Sequence, residues 1–179
     1  MKKLILVVIM ILSWGDDLLA QSYQSTESEV TFFSSAPMED IKATNKKATS
    51  LFNVATGAIA FVVPIQAFQF RKSLMQQHFN ENYLESDKYP NATFEGTITG
   101  YDPSNSGVQQ AVAEGSMTIH GVAKKVKING QISKAAGGLK IETKFPIKVA
   151  DYNIEIPRVV FYNIAEVVEV TAVFIYKEK

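Results

Sequence analysis

Apolar and polar residues alternate with period two in several stretches of this chain, which confines those stretches to strands with one buried face. From Ala92 to Gly100, Phe94 and Ile98 share a side with Gly96 between them, while Thr93, Glu95, Thr97 and Thr99 point the other way. Val126, Ile128 and Ile132 oppose Lys125, Lys127, Asn129 and Gln131. Leu139, Ile141, Phe145, Ile147 and Val149 oppose Lys140, Glu142, Lys144 and Lys148. Val168, Val170, Ala172, Phe174 and Tyr176 form a further inward row. Weaker strands are expected at 28–35, 47–54, 57–70 (with a break at Pro64) and 109–119. Turn chemistry separates them, at Asp102 to Gly107, at Gly121 and at Ala135 to Gly138.

One segment has helical spacing instead. Leu74, Met75, His78 and Phe79 fall on one face, and Ser73 with Gln76 has the form of a capping box, which predicts a short helix over about 73–83. With about eight strands and one helix, the fold class is all-β, and either a sandwich or a closed antiparallel barrel would satisfy it. Closure removes exposed edges, and eight strands can enclose one small ligand. The inward rows mix large side chains with Gly96, Gly115, Gly130, Ala113 and Ala172. Such small residues either leave room in a bore or mark bends that curve the sheet.

The N-terminus is built differently. Met1-Lys2-Lys3 is a basic start, Leu4 to Leu12 is an unbroken apolar run, and Leu18-Leu19-Ala20 closes the stretch. This is the layout of a secretory signal peptide, with cleavage expected after Ala20 and residues 21–179 forming one domain. The apolar run is about half the roughly 20 residues a spanning helix needs, so no membrane anchor is expected. Lys plus Arg and Asp plus Glu number 18 each, and removal of residues 1–20 takes two Lys and two Asp, so the mature domain stays neutral. That balance argues against a nucleic-acid partner. With no cysteine, there is no disulfide, no Cys-ligated metal and no thiol nucleophile, and an exported domain must hold together by strand pairing and packing.

Catalytic patterns are thin. His78 and His120 are far apart and lack metal-ligand spacing, no Ser sits in a G-x-S-x-G elbow, and no phosphate-cradling loop or dinucleotide fingerprint occurs. No enzyme activity, metal or cofactor is expected. A homodimer is compatible with the sequence.

The run from Leu74 to Phe94, ending Asp87-Lys88-Tyr89-Pro90-Asn91-Ala92-Thr93-Phe94, resembles the helix-to-strand signature of the YceI-like family. Gly115 to Val122 is similar to that family's G-x-L-T-I-x-G-V strand, and Asp151 to Pro157 agrees near the C-terminus. The resemblance implies a lipocalin-like barrel, exported to the periplasm, holding a polyisoprenoid or other lipid, with the helix over one mouth. On that reading Phe94, Gly96, Ile98, Ala113, Met117, Ile119, Ile128, Ile141, Phe145 and Phe174 line the bore, and Leu74, Met75 and Phe79 face it from the helix. Arg71 and Arg158, the only arginines, are the candidates for a charged head group, or else surface residues paired with nearby acids. The competing function is a solidly packed structural or stress-response barrel that works through an outer surface such as the loop 150–166.

Overall fold

In the computed structural model, which describes residues 22–35, 40–156 and 165–178, the alternating stretches form strands paired antiparallel to their neighbours. They are β1 (Ser22–Ser34), β2 (Ile41–Asn45), β3 (Thr49–Asn53), β4 (Ala58–Pro64), β5 (Gln69–Phe70), β6 (Asn91–Thr99), β7 (Gln109–Ile119), β8 (Val122–Ala135), β9 (Gly138–Lys148) and β10 (Val167–Glu178). Eight of them make a ring in the order β1-β3-β4-β6-β7-β8-β9-β10, and β10 returns to pair with β1 from Tyr23↔Glu178 to Phe33↔Glu169. The barrel is therefore closed, as the expectation of an eight-stranded antiparallel barrel requires. A bulge between Ser25 and Glu27 bends β1 along that seam.

The remaining strands, β2 and β5, continue the wall at one end. β2 pairs with the last part of β1, from Val30↔Asn45 to Ser34↔Ile41, and β5 pairs with β2. The chain thus runs β2 to β3 through a bend at 46–48, and β4 to β5 through a turn at Ile65–Ala67 that follows Pro64. Asn45, fully buried, ties the two bends together. Its amide donates to the Pro64 carbonyl at 2.7 Å, and its side-chain oxygen accepts from Lys47 N–H at 2.7 Å. The break at Pro64 was legible because proline lacks a ladder donor. β2 was not foreseen, because Ala43 and Asn45 carry little or no apolar bulk on its inward side.

The helix differs in detail from its expected form. α1 (Ser73–His78) is followed by a π-helical turn, Phe79–Tyr83, so the 73–83 segment is helical throughout. Lys72, not Ser73, is the capping position, and no capping box forms. The Gln76 side chain accepts from Phe70 N–H at 3.3 Å instead, holding the helix to the end of β5.

The interior has two unlike halves. Toward the ends of β3, β6 and β10 it is filled by Phe52, Ile59, Ile98, Ile128, Ile132, Leu139, Ile141 and Tyr176, all buried. Tyr101 packs edge-on against Phe52 at 6.1 Å, and the loop it begins is held over this end by Gln109. The Gln109 amide donates to the Asp102 carbonyl at 2.8 Å while its oxygen accepts from Asp102 N–H at 2.8 Å. Deep in the same half the Tyr176 hydroxyl donates to Ser50 Oγ at 2.7 Å, which donates onward to the Ala60 carbonyl at 2.8 Å. Burial pushes the Tyr176 phenol far above its ordinary range, so it stays a neutral donor. We call this half the base, and the half beside α1 the mouth.

Gly96 and Gly115 face each other across β6 and β7. A Cβ on Gly115 would lie 2.2 Å from the Glu95 carbonyl oxygen, and one on Gly96 would lie 2.8 Å from the Phe94 ring. Of the two readings of the small inward residues, the bend reading holds at this pair: the glycines let two strands approach and let the Phe94 ring lie across them.

Candidate ligand-binding site

The mouth half surrounds a cavity of about 280 Å³. Every wall strand of the ring except β3 and β8 contributes to its lining, in the period-two register the sequence shows. β10 supplies Val168, Val170, Ala172 and Phe174, and β9 supplies Phe145 and Ile147. β7 gives Met117 and Ile119, β4 gives Phe61 and Val63, and β1 gives Val30 and Phe32. The floor is aromatic. Phe61 stacks on Phe94 at 5.1 Å and lies 5.9 Å from Phe174, which in turn meets Tyr176 at 6.1 Å. Below these rings the base begins.

The lid is the helical segment. Met75, His78, Phe79, Tyr83 and Leu84 face the cavity. An uninterrupted α-helix starting from Met75 would bring residues 82 and 83 to that face, but the π turn inserts one residue and shifts the pair to Tyr83 and Leu84. Leu84 N–H closes the turn on the Phe79 carbonyl at 2.9 Å. Phe79 stacks on Phe32 at 5.4 Å and also meets Phe68 and Phe70 at 5.6 and 5.0 Å. Each such aromatic pair contributes about 0.5–1.5 kcal/mol beyond its buried area, so four rings anchor the lid, beside the hydrogen bond from Phe70 N–H to the Gln76 side chain.

The cavity offers little to a charged or polar group. Its polar lining side chains are Ser34, Thr93, His78 and Tyr83. Ser34 Oγ already accepts from Ala165 N–H at 2.8 Å. Burial raises the Tyr83 phenol above its ordinary range, so Tyr83 presents a neutral hydroxyl. Among the described residues no cluster of His, Asp and Glu could hold a metal ion, and no helix is long and apolar enough to cross a membrane.

The expected site residues divide between the halves. Met117, Ile119, Phe145 and Phe174 line the cavity, with Met75 and Phe79 from the lid. Phe94, Gly96, Ile98, Ala113, Ile128 and Ile141 do not. They point inward as expected but lie at or below the floor, where neighbouring side chains fill the bore; Phe94 is 1% exposed. Leu74 leaves the lid face altogether and is 61% exposed, because the cavity-facing stripe runs through Met75 and His78. Arg71 is exposed just ahead of α1 and is not part of the lining, and Arg158 lies outside the described residues. Phe32, Phe68 and Phe70 were missed as site residues. The Phe68-Gln69-Phe70 alternation directly before the helix was the signal that could have found two of them.

A closed eight-stranded barrel, solid at one end and hollow and apolar at the other under a helical lid, is a barrel of the lipocalin-like class. Residues 22–175 match the YceI-like domain, and the chain belongs to that family. Solved structures agree on the fold. BcnA of Burkholderia cenocepacia is similar with a TM-score of 0.69 and 18% identity, over 83% of this chain and 95% of that one. A polyisoprenoid binding domain from Saccharophagus degradans gives 0.76 and 15%, over 89% and 99%. The YCEI protein of Campylobacter jejuni gives 0.59 and 15%, over 79% and 86%. No curated protein matches the sequence.

Proposed function

We propose that this protein holds the hydrocarbon part of a lipid, a polyisoprenoid or another long apolar chain, in its mouth cavity, as a carrier or store and not as an enzyme. The observation that carries the reading is the cavity itself, an apolar space walled by strand side chains and closed by an aromatic-anchored lid. The polyisoprenoid binding domain with the same fold supports the choice of ligand class.

Magnitudes set the scale. At about 30 Å³ for a water-sized group, the cavity takes on the order of ten methylene-sized groups. At about 0.8 kcal/mol per buried CH₂ these supply up to about 8 kcal/mol, the scale of a micromolar complex before association costs are met. A longer chain must emerge past the lid, so the polar head stays at the mouth, within reach of His78 and Tyr83.

Export belongs to the same proposal and rests on the N-terminal pattern: residues 1–20 direct the chain to the periplasm and are removed after Ala20. The intact mass of the protein from a periplasmic extract tests it; a mass that includes residues 1–20 would refute cleavage. The ligand reading is tested by organic extraction of the purified protein followed by mass spectrometry. A stoichiometric lipid is expected. A protein that yields none, and that also fails to bind a neutral probe such as N-phenyl-1-naphthylamine, would refute it in favour of a barrel that works through its outer surface.

A further inference from the structure

His120 sits where the two flaps of the mouth meet. Its side chain is 9% exposed, at the turn between β7 and β8, on a backbone with φ of 50°. Nε2 lies 2.7 Å from Glu85 Oε2, at the end of the lid, and Nδ1 lies 3.2 Å from the Tyr152 carbonyl oxygen. Glu85, also in the left-handed region at φ 42°, anchors the turn that ends the lid, since its carbonyl accepts from Lys88 and Tyr89 N–H at 2.8 and 2.9 Å. Tyr152 belongs to the Val149–Tyr152 turn, and Val149, Ile154 and Ile156 around it line the cavity from the opposite side. One imidazole therefore joins the lid to the facing flap.

Both of its partners are acceptors. A carbonyl has no proton to give, and neither has a carboxylate. Only the doubly protonated imidazolium donates to both; a neutral ring must turn a lone pair toward one of them. Imidazole is the side chain that ordinarily changes charge near neutrality. We propose that His120 is a proton-operated clasp on the mouth: the imidazolium fastens the lid and the 149–156 flap together, and loss of its proton frees one of them and speeds exchange of the cavity's contents. The carboxylate is the stronger acceptor for a remaining N–H, so the link released is the one to Tyr152.

The surrounding charges are few. On the lid side Glu85 faces Nε2, and the Tyr89 ring meets the imidazole edge-on at 4.6 Å. The Lys88 ammonium stands 4.8 Å over that Tyr89 ring, and the Tyr89 hydroxyl, then the Glu85 charge, hold it above its ordinary range. On the far side burial, then the Asp151 charge, raises the Tyr152 phenol, so it stays neutral. The Glu85 carboxylate and the Tyr152 carbonyl are therefore the groups the imidazole nitrogens meet directly.

The consequence for ligand exchange rests on the cavity being the ligand site, but the first test needs no ligand. Amide hydrogen exchange, corrected for its intrinsic pH dependence, is read at Leu84, Ser86, Asn153 and Ile154 between pH 5.5 and 8. Loss of one charge-assisted hydrogen bond predicts protection falling about tenfold at Asn153 and Ile154 as pH rises, with a smaller change at Leu84 and Ser86. His120→Asn tolerates the positive φ and carries no titrating group, so its protection at these amides is expected to be flat with pH. Wild-type protection that is flat with pH, or the same pH dependence in His120→Asn, overturns the clasp. Release of N-phenyl-1-naphthylamine from the wild-type protein is then expected to quicken several-fold over the same range. Release at one rate throughout overturns the clasp's hold on the cavity, whereas failure of the probe to bind counts against the ligand reading and leaves the exchange result to decide the clasp.

Discussion

Below Phe61 and Phe174 the side chains of the barrel interior touch one another, while above them the same strands surround open apolar space. Strands such as β10 run through both halves, and their alternation runs with them. β10 places Tyr176 in the base and Ala172, Val170 and Val168 around the cavity, all on one inward row. What changes is the supply of side chains across the bore. In the base, inward residues from β3, β4, β6, β8, β9 and β10 converge, and a loop tied by Gln109 seals the end. In the mouth β8 gives nothing to the cavity lining, and β8 and β9 are paired only between Gly130–Ala135 and Gly138–Thr143. The wall parts there, and the lid and the 149–156 flap close what the strands do not. Stability is concentrated in the base and capacity in the mouth.

That division can be broken at several points. Phe52→Ala removes a ring that is 2% exposed and touches Tyr101 and Tyr176, so it is expected to cost about 3–5 kcal/mol in chemical denaturation. A loss below about 1 kcal/mol would mean the base is not tightly filled. Gly115→Ala drives a methyl group to 2.2 Å from the Glu95 carbonyl, and the strands must shift; about 2–3 kcal/mol is expected from the same measurement. In the mouth the effect changes kind. Ala172→Leu fills cavity space, and it is expected to weaken binding of a neutral apolar probe at least about tenfold while stability moves by about 1 kcal/mol or less. An unfolded Ala172→Leu protein would show that the space is needed by the fold.

Finer effects sharpen the same contrast. Tyr176→Phe deletes one buried hydrogen bond but leaves Ser50 its bond to the Ala60 carbonyl, so about 1 kcal/mol is expected, with probe binding unchanged. Leu74→Ser, on the solvent side of the lid, is expected to change stability by less than about 0.5 kcal/mol and to leave probe affinity alone. A drop in affinity there would put the lid's working face one residue away from Met75.

The limits of the sequence follow from the same physics. Period two reports which face of a strand is buried, and on that basis Phe94, Ile98, Ile128 and Ile141 were rightly placed inward. It carries no information on height along the barrel axis, and height decides whether an inward residue meets a ligand or another side chain. Gly96 was ambiguous for a related reason, since a missing Cβ makes room equally for a ligand, for a neighbouring ring or for a closer strand. The helix showed in its spacing, but its π turn did not, because one inserted residue alters the exposed face without altering composition. His120 looked like an ordinary strand-end histidine, and its two acceptors come from segments 35 and 32 residues away.

The most direct test of a solid base beneath a dry apolar mouth is a crystal structure determined under xenon pressure, since xenon enters apolar cavities that hold no water. Xenon is expected among Met117, Phe145 and Val168, beneath Phe79, and none among Phe52, Ile132 and Tyr176. Ordered water filling the mouth cavity, or xenon lodged in the base, would contradict the account.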